Sequence, residues 1–218
     1  MCICDMMKLY WKKDGRQMPQ AICVVLAGGQ SRRMGRNKAL LLLGSKTFLS
    51  HLIDLYSEAF PVYVSVAETG CLSQPGAEEI PDLHPGKGPL AGLEAAFVRT
   101  GADHIFLTAT DLPFGTVPLA KELLKRISDF DACVIRRNDG KAEPMFAVYG
   151  ASCFPYIQAM LKEDKHAVHE LLDRVRVRWV EETELFGYDL DHILSNVNTP
   201  EDYQKAIDYC RDTTDKLL

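Results

Sequence analysis

The sequence predicts an α/β fold in a single domain, and two observations carry that expectation. Residues 22–26, Val62–Val66 and His104–Ala109 are short apolar runs of the kind that forms strands buried on both faces of a parallel sheet. Between them lie segments with helical spacing, the clearest being Phe48, Leu49, Leu52, Ile53, Leu55 and Tyr56. Strands alternating with amphipathic helices build β-loop-α-β units around one sheet.

Length and composition agree with this reading. A chain of 218 residues is long enough for one substantial core, and 47% hydrophobic with 25% charged residues is ordinary for a globular protein. The formal net charge of -5 argues against a general nucleic-acid binder, which usually carries a basic face. No apolar run reaches the eighteen or so residues of a membrane helix, so no membrane association is expected. Seven cysteines without a CxxC pair read as small core residues in a reducing compartment, which points to the cytoplasm. Residues 1–20 read as a flexible N-terminal extension, 21–211 as the folded domain and 212–218 as a frayed tail.

The first strand runs into LAGGQSRRMGRNK at 26–38. Gly28 and Gly29 release the chain from the strand and leave no Cβ to keep a ligand from the backbone amides. Arg33, Gly35 and Lys38 follow, so amides and cations gather beyond the carboxyl end of a strand, where open α/β sheets bind ligands. The spacing fits neither GxxxxGK[ST] nor GxGxxG, yet the chemistry is that of a phosphate site.

Residues 39–43 read as a short strand or irregular segment, turned by Gly44 and Ser45. A helix is expected over 47–59, stopped by Pro61 before the strand Val62–Val66. Asp82 ends a short strand, and the PGKGP segment at 85–89 leads into a helix opened by Pro89, whose free amides can meet an anion or a base carbonyl. His104–Ala109 then delivers Asp111 to the same sheet edge, where it reads either as a cap for the next helix or as a carboxylate placed to hold Mg²⁺.

A helix over 117–127 and a strand over 132–135 follow. Arg136, Arg137 and Lys141 form a cationic loop, either a solvated turn or a lip for an anionic second substrate, ahead of a strand over 145–149. Helices are expected over 152–161 and 167–172. His166 and His169 lack a third ligand for a metal. Arginines at 174, 176 and 178 alternate with apolar residues in strand fashion, and 193–197 reads as a short strand. Thr199, Pro200, Glu201 and Asp202 make a strong helix start, and that last helix is expected to fray past Cys210.

Four segments in order, LAGGQSRRMGRNK at 26–38, PDLHPGKGPLAGL at 81–93, TDLPF at 110–114 and NVNTPEDY at 196–203, resemble the molybdenum cofactor guanylyltransferases of the nucleotidyltransferase superfamily. The resemblance implies a Rossmann-like three-layer sandwich, a mostly parallel twisted sheet with helices on both faces. It implies transfer of GMP from GTP to the terminal phosphate of molybdopterin or its molybdenum form, with Mg²⁺ as cofactor. Other cofactor-biosynthesis proteins and molybdoenzymes are the implied partners. By the same resemblance Leu26, Ala27, Gly28, Gly29, Lys38, Asp82 and Asp111 bind the nucleotide. Arg33, Lys38 and Asp111 serve catalysis, Asp111 ligates the metal, and Asn196 and Asn198 lie on the pterin side. Two positions depart from the pattern: Asn37 stands where Asp is common, and Ser65 where some members have Asn. A cytidylyltransferase on the same cofactor and a catalytically silent nucleotide-binding module are the alternatives, with LAGG rather than LAAG favouring guanine.

Overall fold

In the computed structural model, residues 20–27 and 37–215 are described. Expectations for Gly28, Gly29, Arg33 and Gly35, for residues 1–19 and for 216–218 lie outside the described residues.

Seven strands form the main sheet: β1 (Ala21–Leu26), β4 (Val62–Val66), β5 (Glu78–Pro81), β6 (His104–Ala109), β7 (Ala132–Arg136), β8 (Ala142–Gly150) and β9 (Val177–Glu181). Their spatial order is β5-β4-β1-β6-β8-β7-β9. Only β8 runs against its neighbours, so the sheet is mostly parallel as expected. The short pair β2 (Leu42–Leu43) and β3 (Lys46–Thr47) forms a separate hairpin.

The central strands are apolar throughout because both of their faces are covered. Cys23, Val25 and Phe106 pack with α1 (Phe48–Ser57) and α3 (Val117–Arg126). Ile22, Val24, Ile105 and Leu107 pack with α2 (Gly88–Thr100) and α4 (Phe154–Lys162) on the other face. Helices therefore cover both faces in three layers. Phe106 anchors the first core, its ring centroid 4.9 Å from that of Phe146 and 5.2 Å from that of Tyr56. Truncating such a ring to Ala costs about 3–5 kcal/mol.

Local chemistry sets the boundaries. Thr47 caps α1 by accepting from the Ser50 amide at 3.1 Å. Helix α2 has Pro89 in its first turn and ends at Gly101 in the left-handed conformation. The last helix, α7 (Pro200–Asp215), continues beyond Cys210. Cys23 and Cys133 are core residues, as their apolar surroundings in sequence suggest.

One element is corrected. Residues 193–197 do not form a strand: after α5 (Val168–Leu172), Leu190–Ile193 is a single helical turn, α6, and among the described residues no strand follows it. Asp189 caps it by accepting from the His192 amide, while Leu190, Ile193 and Leu194 bury one face. The Asp189 cap and the burial of these three side chains override the β-branched character of the short run.

Candidate active site

The chain adds β4 and β5 on one side of β1 and then crosses to place β6 on the other, so the strand order reverses at β1. At such a switch point the connections leave in opposite directions and a crevice opens beyond the carboxyl ends. Backbone bonds tie those ends together. The Ala27 amide donates to the Ser65 carbonyl at 3.1 Å, Thr110 to Leu26 at 3.1 Å, and Asp82 to Val66 at 2.9 Å.

The crevice is a cleft of about 800 Å³, and Leu26, Ala27, Lys38, Asp82 and Asp111 all line it. Five residues named from sequence thus converge from four separate stretches. Gly86, Gly88 and Pro89 bring the start of α2 to the same wall. Met145 adds an apolar surface because β8, running backwards, begins at the edge where the parallel strands end. No sequence signal marked Met145, since its place depends on the direction of β8.

Burial raises the pKa of Asp111, and the nearby Lys38 ammonium opposes that rise, as does a backbone amide. Burial likewise raises Asp82, opposed by the Ser65 hydroxyl, which donates to Asp82 Oδ1 at 2.9 Å. Ser65 therefore has a polar role at the site as the orienting donor for Asp82. Asn37 caps the turn that carries Lys38, its Oδ1 accepting from the Ala39 amide at 3.0 Å, a task Asp would perform equally.

Lys38 Nζ donates to Asn198 Oδ1 at 2.5 Å. Asn198 is itself fixed: its amide and that of Thr199 donate to Asp202 Oδ2 at 3.0 and 2.9 Å, while Thr199 Oγ1 accepts from the Asp202 amide at 3.1 Å. One residue earlier, the Val197 amide donates to the Asp111 carbonyl at 2.8 Å. Asn196 is exposed beside this segment and does not line the cleft.

The turn after Asp111 is held from two further sides. His51 Nε2 lies 3.1 Å from the Pro113 carbonyl, and Phe114 packs at 4.3 Å on the His192 ring, which meets Tyr209 at 3.9 Å. Gly92 permits the close approach of α2 to the sheet. A Cβ there would fall 2.6 Å from Ser65 Oγ and 2.7 Å from Leu26 Cδ2, so the glycine of GPLAGL is needed for helix against strand.

The cationic loop behaves as a structural turn. Arg136 pairs with Glu181, Arg137 with Glu182 and Asp191, and Lys141 with Asp139. Among the described residues no group of three or more His, Cys, Asp or Glu could hold a metal alone, His166 and His169 included. A divalent ion at Asp111 fits the cleft only as one that takes its other ligands from phosphate oxygens and water, which is how Mg²⁺ usually binds.

The MobA-like NTP transferase domain family model matches residues 23–180. The chain is 35% identical over 193 residues to a probable molybdenum cofactor guanylyltransferase of Pelotomaculum thermopropionicum, covering 87% of this chain and 93% of that protein. It is 32% identical over 191 residues to one of Carboxydothermus hydrogenoformans, covering 87% of this chain and 96% of the relative. A solved structure of molybdopterin-guanine dinucleotide biosynthesis protein A from Archaeoglobus fulgidus superposes with a TM-score of 0.78 at 26% identity, over 88% of this chain and 99% of that one. No described helix is long and apolar enough to cross a membrane. The matched region contains the sheet edge, the cleft and both acidic turns, and the chain is a nucleotidyltransferase belonging to the MobA-like NTP transferase domain family.

Proposed function

We propose that this chain transfers GMP from GTP to the terminal phosphate of molybdopterin or its molybdenum form, releasing pyrophosphate. The observation that carries the reading is the convergence of Lys38, Asp82 and Asp111 on one cleft at the sheet's switch point. The guanylyltransferase names of the relatives support the choice of nucleotide and acceptor.

An oxygen of the acceptor phosphate attacks the α-phosphorus of GTP, and the bond from that phosphorus to the bridging oxygen breaks. Pyrophosphate leaves with the electron pair. A phosphate monoester is already ionised near neutral pH, so charge management matters more than a general base. Lys38, with Arg33 and the amides of Gly28 and Gly29 from the segment beyond the described residues, stabilises the departing pyrophosphate. Asp82 and the backbone of Leu26 and Ala27 orient the nucleoside. Mg²⁺ held by Asp111 supplies Lewis-acid stabilisation of phosphoryl oxygens when bound. Asn196, exposed and outside the cleft lining, is assigned to the pterin by the resemblance alone.

This reading carries with it a cytoplasmic location, with cofactor-biosynthesis proteins and molybdoenzymes as partners. It is tested by pyrophosphate release with molybdopterin as acceptor and GTP or CTP as donor. GTP is expected to be preferred by at least about tenfold; preference for CTP assigns the cytidylyl transfer instead, and no release with either leaves a nucleotide-binding module.

A further inference from the structure

We infer that Asn198 is a positioning residue for Lys38, and that residues 197–199 form a strap holding the Lys38 ammonium and the Asp111 turn in one frame. The contact is independent of any ligand, while its consequence for GTP rests on the guanylyltransferase reading.

Four contacts lie on three consecutive residues. Val197 donates its amide to the Asp111 carbonyl, Asn198 accepts the Lys38 ammonium, and Asn198 and Thr199 both donate backbone amides to Asp202. Lys38 and Asn198 are separated by 160 positions, so no local turn accounts for their meeting. The Asp202 carboxylate is kept below the ordinary Asp range, chiefly by the Asn198 amide it accepts. The strap is thus anchored to the first turn of α7 at one end and to the carboxyl end of β6 at the other.

The choice of an amide at 198 has a chemical consequence. A carboxylate there would also hold Lys38, but it would neutralise the ammonium and compete with a phosphate for it. The amide oxygen restrains a long, flexible side chain without adding a second carboxylate to the Asp111 that already feels the ammonium. The strap therefore reduces the ordering that Lys38 must undergo when an anion arrives.

The test is competitive trace labelling of lysine amines with acetic anhydride in the full chain, mapped by peptide mass spectrometry, together with GTP kinetics. Lys46, paired with Asp54 at 2.7 Å, serves as the internal reference. Asn198→Ala is expected to raise Lys38 labelling several-fold relative to Lys46 and to raise KM for GTP about tenfold, with a smaller change in kcat. Asn198→Asp is expected to keep Lys38 protected and still raise KM, because the hydrogen bond survives while the charge is cancelled. Asp202→Asn, which loosens the strap without touching a side chain in the cleft, is expected to act in the same direction as Asn198→Ala but less. Unchanged Lys38 labelling in both Asn198→Ala and Asp202→Asn overturns the inference, as does equal behaviour of Asn198→Ala and Asn198→Asp. Failure of GTP to protect Lys38 in the native chain counts against the nucleotide reading alone, since the labelling of the variants without nucleotide still decides the strap.

Discussion

Two groups of cations sit near the carboxyl edge of the sheet, and they are held in opposite ways. At the end of β7 and in the loop after it, Arg136, Arg137 and Lys141 each meet carboxylates, and Arg136 also lies 5.4 Å from the centroid of the Trp179 ring. In the cleft, Lys38 is gripped by a neutral amide and stands close enough to Asp111 to lower its pKa against burial. A cation matched to a carboxylate stiffens a turn; one held by a carbonyl oxygen keeps its field for a ligand. Partner chemistry, more than position near a cleft, separates the two roles.

The sharpest way to break this contrast is at Asp111. Asp111→Ala is expected to abolish divalent-metal-dependent pyrophosphate release, by more than about 10³-fold. The thermal midpoint is expected to stay level or rise. The sign follows from the raised folded-state pKa: above the unfolded value the ionised carboxylate is less favourable in the fold, so its charge costs stability at neutral pH. A lowered midpoint together with near-normal turnover would falsify both roles.

Lys38→Met comes next, with an expected loss of about 10²-fold in kcat/KM. It also moves the pH profile. If the ionised Asp111 carboxylate serves the transfer as proposed, activity is lost as pH falls through its folded pKa, which burial has already raised. Removing the ammonium that opposes that rise shifts the acid limb upward. A pH-rate series on both proteins checks it, and a downward or absent shift breaks the electrostatic link.

Gly92→Ala is expected to act through packing, at about 1–3 kcal/mol in denaturant unfolding, with a rise of about threefold in KM for GTP as Ser65 is pushed off Asp82. Arg137→Met is expected to do least to catalysis. Its kcat/KM should stay within about twofold of native while stability falls by about 1 kcal/mol, since only the pairs to Glu182 and Asp191 are lost. A large kinetic defect there would restore the loop as a substrate-facing lip.

What could be read from sequence follows the range of the interactions. β1, β4 and β6 were legible because strands covered on both faces must be apolar from end to end, and their exits fix where Ala27 and Asp111 emerge. The turn at Leu190–Ile193 was misread because four residues are too few to display a period, and its cap at Asp189 resembles any loop acid. The pairing of Arg136 with Glu181 was invisible for another reason. It depends on β7 lying beside β9, an adjacency that no spacing along the chain encodes. Lys38 was legible as a cation just beyond the end of a strand, and it lines the cleft, yet its bond to Asn198 needed the fold.

The absent side chain at position 92 acts as a gauge for the whole wall of the cleft. With a methyl group's clearance missing between helix and strand, the helix can rest at one depth only. Asp82 is tied to the strand below through the Ser65 hydroxyl and the Val66 carbonyl, so its orientation is inherited from the seat that Gly92 leaves for Ser65. A substitution that thickens the interface would displace the hydroxyl that orients Asp82 while leaving Lys38 and Asp111 in place, an impairment of aim with no loss of reagents.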